Sequence, residues 1–204
     1  MQRAVTLAAL LACSCGTLAA ADIEITPMYG YRWGGDIGAD SSPLFTEDVE
    51  IDDSAAYALS LGIRSKSGLI IEISANRQES RFIEGDALFG GSNVLFDVDT
   101  TYYHVGVGRN WTLRDEDYEL FLTGSLGVAA IDPDAPGARS ATEFSTSLGG
   151  GLKVWANHHL GFRFELRGFW ADTGNSDACA LCVWDKFDND LFQGEARIGV
   201  IARF

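Results

Sequence analysis

From residue 22 onward one pattern repeats eight times: apolar and polar residues alternate with a period of two, and helical periodicity is missing almost everywhere. Ile23, Ile25, Pro27, Tyr29, Tyr31 and Trp33 share one parity, and Glu24, Thr26, Met28, Gly30 and Arg32 the other. The alternation recurs over Tyr57–Ile63, Leu69–Ala75, Thr101–Val107, Tyr118–Val128, Phe144–Val154, Leu160–Trp170 and Phe192–Phe204. Successive side chains of a strand point to opposite faces, so each segment is expected to be a strand of roughly ten residues with one apolar face. An apolar content of 47% excludes disorder despite the net charge of −14, and that acidity argues against a nucleic-acid partner.

The polar parity carries Arg, Glu, Lys, Ser and Gly. A soluble lipocalin-like barrel should have an apolar inside and a polar outside. Three features favour the inverse, a barrel in a membrane. Charge cannot face hydrocarbon and no sheet edge can lie open there, so the charged parity must line a closed interior. Short turns near 65–68, 112–117 and 156–159 alternate with long polar loops near 34–53, 79–95, 132–143 and 172–190, as in an up-and-down membrane barrel. Aromatic residues gather at both strand ends: Tyr31, Trp33, Phe144, Trp170 and Phe192 toward the long loops, and Trp111, Tyr118, Trp155, Phe162 and Phe204 toward the short turns. The expected fold is all-β, an eight-stranded antiparallel up-and-down transmembrane β-barrel.

Residues 1–21 read as a signal peptide: Arg3, then an apolar run from Ala4 to Ala12, then small residues ending in Ala19-Ala20-Ala21. The barrel domain is then 22–204. Leu10-Leu11-Ala12-Cys13 also has the form of a lipoprotein cleavage box, with Cys13 as the lipidated residue. That reading requires a shorter apolar region and an uncommon leucine, and cleavage after Ala21 is the expectation.

The chain from residue 22 resembles the small eight-stranded outer-membrane β-barrels of Gram-negative bacteria, the OmpA/OmpX-like group. The resemblance is carried by Thr26-Pro27-Met28-Tyr29-Gly30-Tyr31-Arg32-Trp33-Gly34-Gly35, by Ser147-Leu148-Gly149-Gly150-Gly151-Leu152-Lys153, and by the ending Arg197-Ile198-Gly199-Val200-Ile201-Ala202-Arg203-Phe204. It implies residence in the outer membrane, long loops outside and both termini in the periplasm. It also implies that Gly199 and Phe204 belong to a C-terminal signal read by the barrel-insertion machinery, with Ala202 smaller than the residue usual at its position. It implies little about activity, because members of the group differ mostly in their loops.

The inward parity holds Arg32, Arg64, Lys153, Arg163, Arg167, Arg197 and Arg203 against Glu24, Glu72, Glu119, Glu165 and Glu195. Eight strands enclose room for little besides side chains, and unpaired charges there are expensive, so a mutually paired plug is expected over an open solute pathway. His104 is placed in the lumen among residues such as Tyr102 and Glu119 as a hydrogen-bonded side chain, and His158 and His159 in a periplasmic turn. No His–Ser–acid grouping falls on the loops, so no catalytic residue is assigned, and no cofactor or metal site either. Cys179 and Cys182 stand as C-x-x-C in the fourth long loop. With no second cysteine pair or nearby histidine to complete a metal set, a disulfide is expected in an oxidising compartment. Segments 34–53, 79–99, 132–143 and 172–190 carry 20 acidic residues against Arg81, Arg139 and Lys186. Such a face is solvated, or holds divalent cations beside lipopolysaccharide phosphates, or meets a basic partner, but no loop has the EF-hand pattern.

The expected function is a non-enzymatic, monomeric outer-membrane barrel with a structural or surface-interaction role, in contact with membrane lipids and lipopolysaccharide. A narrow pore or carrier for small molecules is the alternative, and a lipid-modifying enzyme comes third. N-terminal sequencing of protein from isolated envelopes should read from Asp22; a blocked chain beginning at a lipidated Cys13 would overturn that cleavage site.

Overall fold

The computed structural model describes residues 21–37, 49–84, 93–113, 117–133, 140–172 and 190–204. Ten strands follow in chain order: β1 (Ala21–Trp33), β2 (Asp36–Ile37), β3 (Val49–Ile51), β4 (Ser54–Ser65), β5 (Leu69–Glu84), β6 (Asn93–Thr112), β7 (Tyr118–Pro133), β8 (Ala141–Trp155), β9 (Leu160–Asp172) and β10 (Asp190–Arg203). The long ones pair antiparallel in the order β5-β4-β1-β10-β9-β8-β7-β6, and β6 pairs back onto β5. The sheet is thus a closed eight-stranded up-and-down barrel. Its first and last strands meet at one rim, where Ile23 and Phe204 exchange backbone hydrogen bonds of 3.0 and 2.9 Å.

Short turns gather at that same rim. In Ser65–Gly68 the Gly68 N–H donates to the Ser65 carbonyl at 2.9 Å with a φ of +84°, a conformation that favours glycine. Asn157 makes the turn at 156–159: its Oδ1 accepts the N–H groups of His159 and Leu160, each at 2.9 Å. His158 and His159 are exposed turn residues there.

At the opposite rim the strands run further than alternation suggests. They span 12 to 20 residues, longer than the ten or so a membrane crossing needs. The segment near 79–95, expected to be loop, is largely strand: β5 and β6 stay in register from Glu79↔Asp99 to Glu84↔Asn93, with an irregularity between Phe82 and Ile83. Likewise 34–53 contains β2 and β3, and β3 continues the line of β4 along β5. The outward parity of β5 changes from Ile71, Ile73 and Ala75 to Arg77, Glu79 and Arg81 where the apolar band ends. Backbone pairing needs no lipid, so it persists after that change. The six residues of β5 beyond Gln78 carry the hairpin roughly 20 Å further at about 3.3 Å per residue. Gly34 and Gly35, with φ of 78° and 127°, mark the break between β1 and β2.

The apolar parity faces outward, with Ile23, Leu61, Val105, Leu126, Leu148 and Phe164 all exposed. Tyr31, Trp33, Trp170 and Phe192 are exposed toward one rim, and Trp111, Tyr118, Phe162 and Phe204 toward the other. Phe144 is half-buried. Trp155 corrects the expectation: it points inward and is 7% exposed, because it shares the parity of Lys153 and stacks under Arg203.

Glycine sets how closely strands approach inside this narrow wall. A Cβ on Gly151 would run into the Phe164 carbonyl oxygen, whereas one on Gly124 would meet nothing within 4 Å. Gly151→Val should lower stability by about 1–3 kcal/mol or more and reduce the fraction that migrates as folded barrel on unboiled gels. Gly124→Ala should stay within about 0.5 kcal/mol of the parent in the same urea titration.

Candidate functional site

The inward parity brings together side chains from all eight barrel strands. Near the short-turn rim, Lys153 Nζ donates to Glu24 Oε2 at 2.5 Å, and Arg64 Nη1 donates to Glu119 Oε2 at 2.8 Å. Arg203 lies 3.4 Å from Glu24 and 3.6 Å from Glu119, with its guanidinium carbon 3.4 Å from the Trp155 ring centroid. Asn110 completes this end, buried, its side-chain amide without a protein partner among the described residues.

Midway, Glu72 and Glu165 gather three arginines. Arg163 Nη1 donates to Glu72 Oε2 at 2.6 Å, and Arg167 Nε and Arg197 Nη2 both donate to Glu165 Oε1, at 2.8 and 2.9 Å. Arg163 Nε is 2.8 Å from Glu165 Oε2 but off the hydrogen-bonding direction, so that contact is an ion pair only. Arg167 also donates to Ser147 Oγ and Thr123 Oγ1, at 2.9 and 3.0 Å. The Phe121 ring lies under Arg163, 4.4 Å from the guanidinium carbon.

Toward the long-loop rim, Arg32 Nε donates to Glu195 Oε2 at 2.9 Å, and Asn76 bonds both Arg32 and Glu195. Arg32 sits 4.8 Å from each of the Tyr102 and Phe169 ring centroids, and those rings stack at 4.6 Å. Tyr102 Oη donates to Gln193 Oε1 at 2.8 Å. Above this layer Val98, Ala129, Ala171 and Leu191 form a buried apolar cluster. Phe121, Phe169 and this cluster were not singled out in the sequence, although their polar-side parity places them inside.

His104 packs against Tyr102 and Phe169, with ring centroids 5.7 and 5.8 Å apart. Glu119 is not with it; that carboxylate belongs to the Arg64–Arg203 group at the other end. His104 Nε2 lies 3.2 Å from Ser145 Oγ, which itself donates to the Trp170 carbonyl at 2.7 Å. The serine proton is therefore committed to backbone and the imidazole is the donor between them. That orientation is the reverse of an activated nucleophile.

Among the described residues seven cations face five carboxylates in this lumen. Arg32, Lys153, Arg163, Arg167, Glu24, Glu72, Glu165 and Glu195 are all under 5% exposed, so their charges depend on one another rather than on water. The two cations nearest solvent are Arg64 and Arg203, with side chains 13% and 18% exposed at the short-turn mouth, where water screens the excess positive charge. Gly199 points inward and tightly against β1, where an added Cβ would meet the Pro27 carbonyl at 2.6 Å, and Phe204 is exposed at the rim. Cys179, Cys182, residues 1–20 and eight of the 20 acidic loop residues lie outside the described residues. Of the described acidic loop positions, Asp52 pairs with Arg81 at 3.1 Å, and Asp99 and Glu79 pair with Arg77 at 2.7 and 3.3 Å.

A closed barrel with an apolar outside, two aromatic rims and a charged, filled inside is a transmembrane β-barrel. The chain belongs to the outer membrane protein beta-barrel domain family, whose model matches residues 5–204. It is thus a protein of the Gram-negative outer membrane, its outward parity facing lipid and lipopolysaccharide. No curated protein matches the sequence. Among solved structures it is similar to Neisserial surface protein A, with 10% identity and a TM-score of 0.55 over 90% of this chain and 97% of that one. It is similar to the N-terminal barrel of Pseudomonas aeruginosa OprF, with 11% identity and a TM-score of 0.55 over 90% and 97% of the two chains. OprG from the same organism gives 12% identity and a TM-score of 0.55 over 91% and 96%. At these identities the likeness is one of fold.

Glu165 is the carboxylate that three buried arginines share. Glu165→Ala should destabilise the barrel by about 3–5 kcal/mol in urea unfolding from lipid bilayers, because it leaves uncompensated buried charge. Arg77→Ala, which breaks an exposed pair, should cost less than about 1 kcal/mol in the same assay.

Proposed function

We propose that this protein is a non-enzymatic outer-membrane barrel whose lumen is a structural core and whose working surface is its extracellular rim. One observation carries the lumen half of this reading: the paired charges of the bore are almost wholly buried, with the apolar Val98–Ala129–Ala171–Leu191 cluster above them. Such a bore holds the strands together without offering a wide path. The rim half is supported by the projecting β5–β6 hairpin and the short β2 and β3 strands beside it, which extend past the last apolar outward positions. Together with the acidic loops they present a large polar surface for a ligand or for neighbouring lipopolysaccharide. No cofactor, metal or catalytic residue is part of the proposal. It does include a monomeric barrel, inserted through recognition of the segment around Gly199 and Phe204, and a Cys179–Cys182 disulfide that shapes a loop tip without joining two strands.

A narrow path is the second reading. Arg163 Nη2, Arg197 Nε and Arg203 Nε have no protein hydrogen-bond partner among the described residues, and water threading past them would see a net positive bore. Purified protein in planar bilayers separates the two. The plug predicts no stable, large conductance steps; robust porin-like currents would overturn it, and small anion-selective currents would support the narrow path.

A further inference from the structure

The outside of the barrel is not uniformly convex. A concavity of about 1000 Å³ crosses it from Trp111, near the short-turn rim, to Tyr29 and Tyr31, toward the long-loop rim. Two adjacent rows of register partners define its course. One row runs Trp111, Leu120, Leu152, Phe164, Ile198, Tyr29, all bulky. The next runs Arg109, Leu122, Gly150, Leu166, Ala196, Tyr31, and its two small residues leave gaps between the leucines and the tyrosine. The hollow is therefore a diagonal apolar groove, walled by large side chains and shallowest in side-chain cover at Gly150 and Ala196.

That second row begins with a charge. Arg109 faces outward and is exposed. Its register partner on β5 is Leu69, the first residue of that strand after the Ser65–Gly68 turn, so it stands at the periplasmic edge of the apolar band. Arg77 and Arg81, the other outward arginines of the described strands, are each paired with an aspartate. Arg109 has no carboxylate partner among the described residues. A lipid-facing arginine costs about 2–4 kcal/mol at the bilayer midplane and roughly nothing to 1 kcal/mol near an interface, so its position fits a side chain that reaches the headgroup layer.

We propose that this groove and Arg109 form a binding site for one anionic glycerophospholipid of the periplasmic leaflet, its acyl chain lying along the Gly150–Ala196 row and its phosphate on the Arg109 guanidinium. The apolar groove selects an acyl chain, and the cation at its periplasmic end selects negative charge and sets the leaflet. Such a site is independent of whether the lumen conducts.

The test is lipid retention by the intact barrel, folded into phosphatidylcholine vesicles doped with phosphatidylglycerol, extracted in mild detergent and weighed by native mass spectrometry. One phosphatidylglycerol should remain per barrel, enriched about fivefold over its share of the vesicle. Arg109→Gln should abolish the enrichment and Arg109→Lys should keep it. Ala196→Phe, which fills the groove, should remove the retained lipid of either kind; Ala196→Leu serves if the larger residue hinders folding. Both positions face outward, so unboiled gel migration should be that of the parent. Equal retention of both lipids by the parent, enrichment that survives Arg109→Gln, or lipid that survives a folded groove-filling variant would each overturn the proposal. A barrel dimer that the groove-filling variant abolishes would overturn it as well, by giving the groove to a second copy.

Discussion

A backbone that crosses hydrocarbon finds no water for its N–H and C=O groups, so each must bond to a neighbouring strand and the last strand must return to the first. Here that demand is met by the β1–β10 and β5–β6 ladders, which turn a linear order of strands into a ring. Closure with eight strands dictates a narrow bore. A narrow bore lined by the polar parity dictates that buried charges lie within reach of one another. The filled lumen thus follows from the backbone's own requirement, and any function that needs a wide channel is disfavoured before a single loop is considered.

Pairing inside the bore is only partly the pairing of adjacent strands: Arg32–Glu195 and Arg197–Glu165 are register partners, and other pairs reach across. Register sets Lys153 opposite Arg163, two like charges that would repel if they had only each other. Their partners come from across the bore instead: Glu24 of β1 meets Lys153 of β8, and Glu72 of β5 meets Arg163 of β9. These contacts hold opposite walls at a fixed separation. Midway along the bore Glu72 and Glu165 share Arg163 and Arg167, so the members of that group will not act additively when changed.

Much of this was legible in the sequence because period two is a property of neighbours along the chain. Parity placed Glu165, Arg197 and the other lumen charges on one face without any knowledge of the fold. It could not show which charges meet across the bore, since that depends on strand order, tilt and side-chain reach. Trp155 went astray for a related reason. It was read by residue type, as a rim aromatic, when its parity with Lys153 pointed inward toward Arg203. The second loop was misread because alternation of hydrophobicity reports lipid contact rather than strand: at Arg77 the outward face leaves the apolar band while the ladder continues to Glu84. The aromatic pair around Arg32 carried a parity signal, yet an inward aromatic among polar residues has no sequence mark that separates a cation-stacking ring from an ordinary space filler.

The run Gly149-Gly150-Gly151 ties the two faces of the wall together. A Cβ on Gly149 would lie 2.5 Å from Glu165 Oε1 and 2.8 Å from Arg167 Nε, so the missing side chain is the space those long ionic side chains occupy. Gly151 lets β8 approach the Phe164 carbonyl of β9. Gly150 between them faces lipid, and its missing side chain leaves the space between Leu122 and Leu166 on the outside. Side chains inside a small barrel compete for volume, and glycine on the inward parity resolves that competition in favour of Arg and Glu. The outward glycine in the same run extends the thin stretch of wall to the other face. The volume that lets the charge network close and the hollow on the lipid side are therefore neighbouring consequences of three residues in one strand.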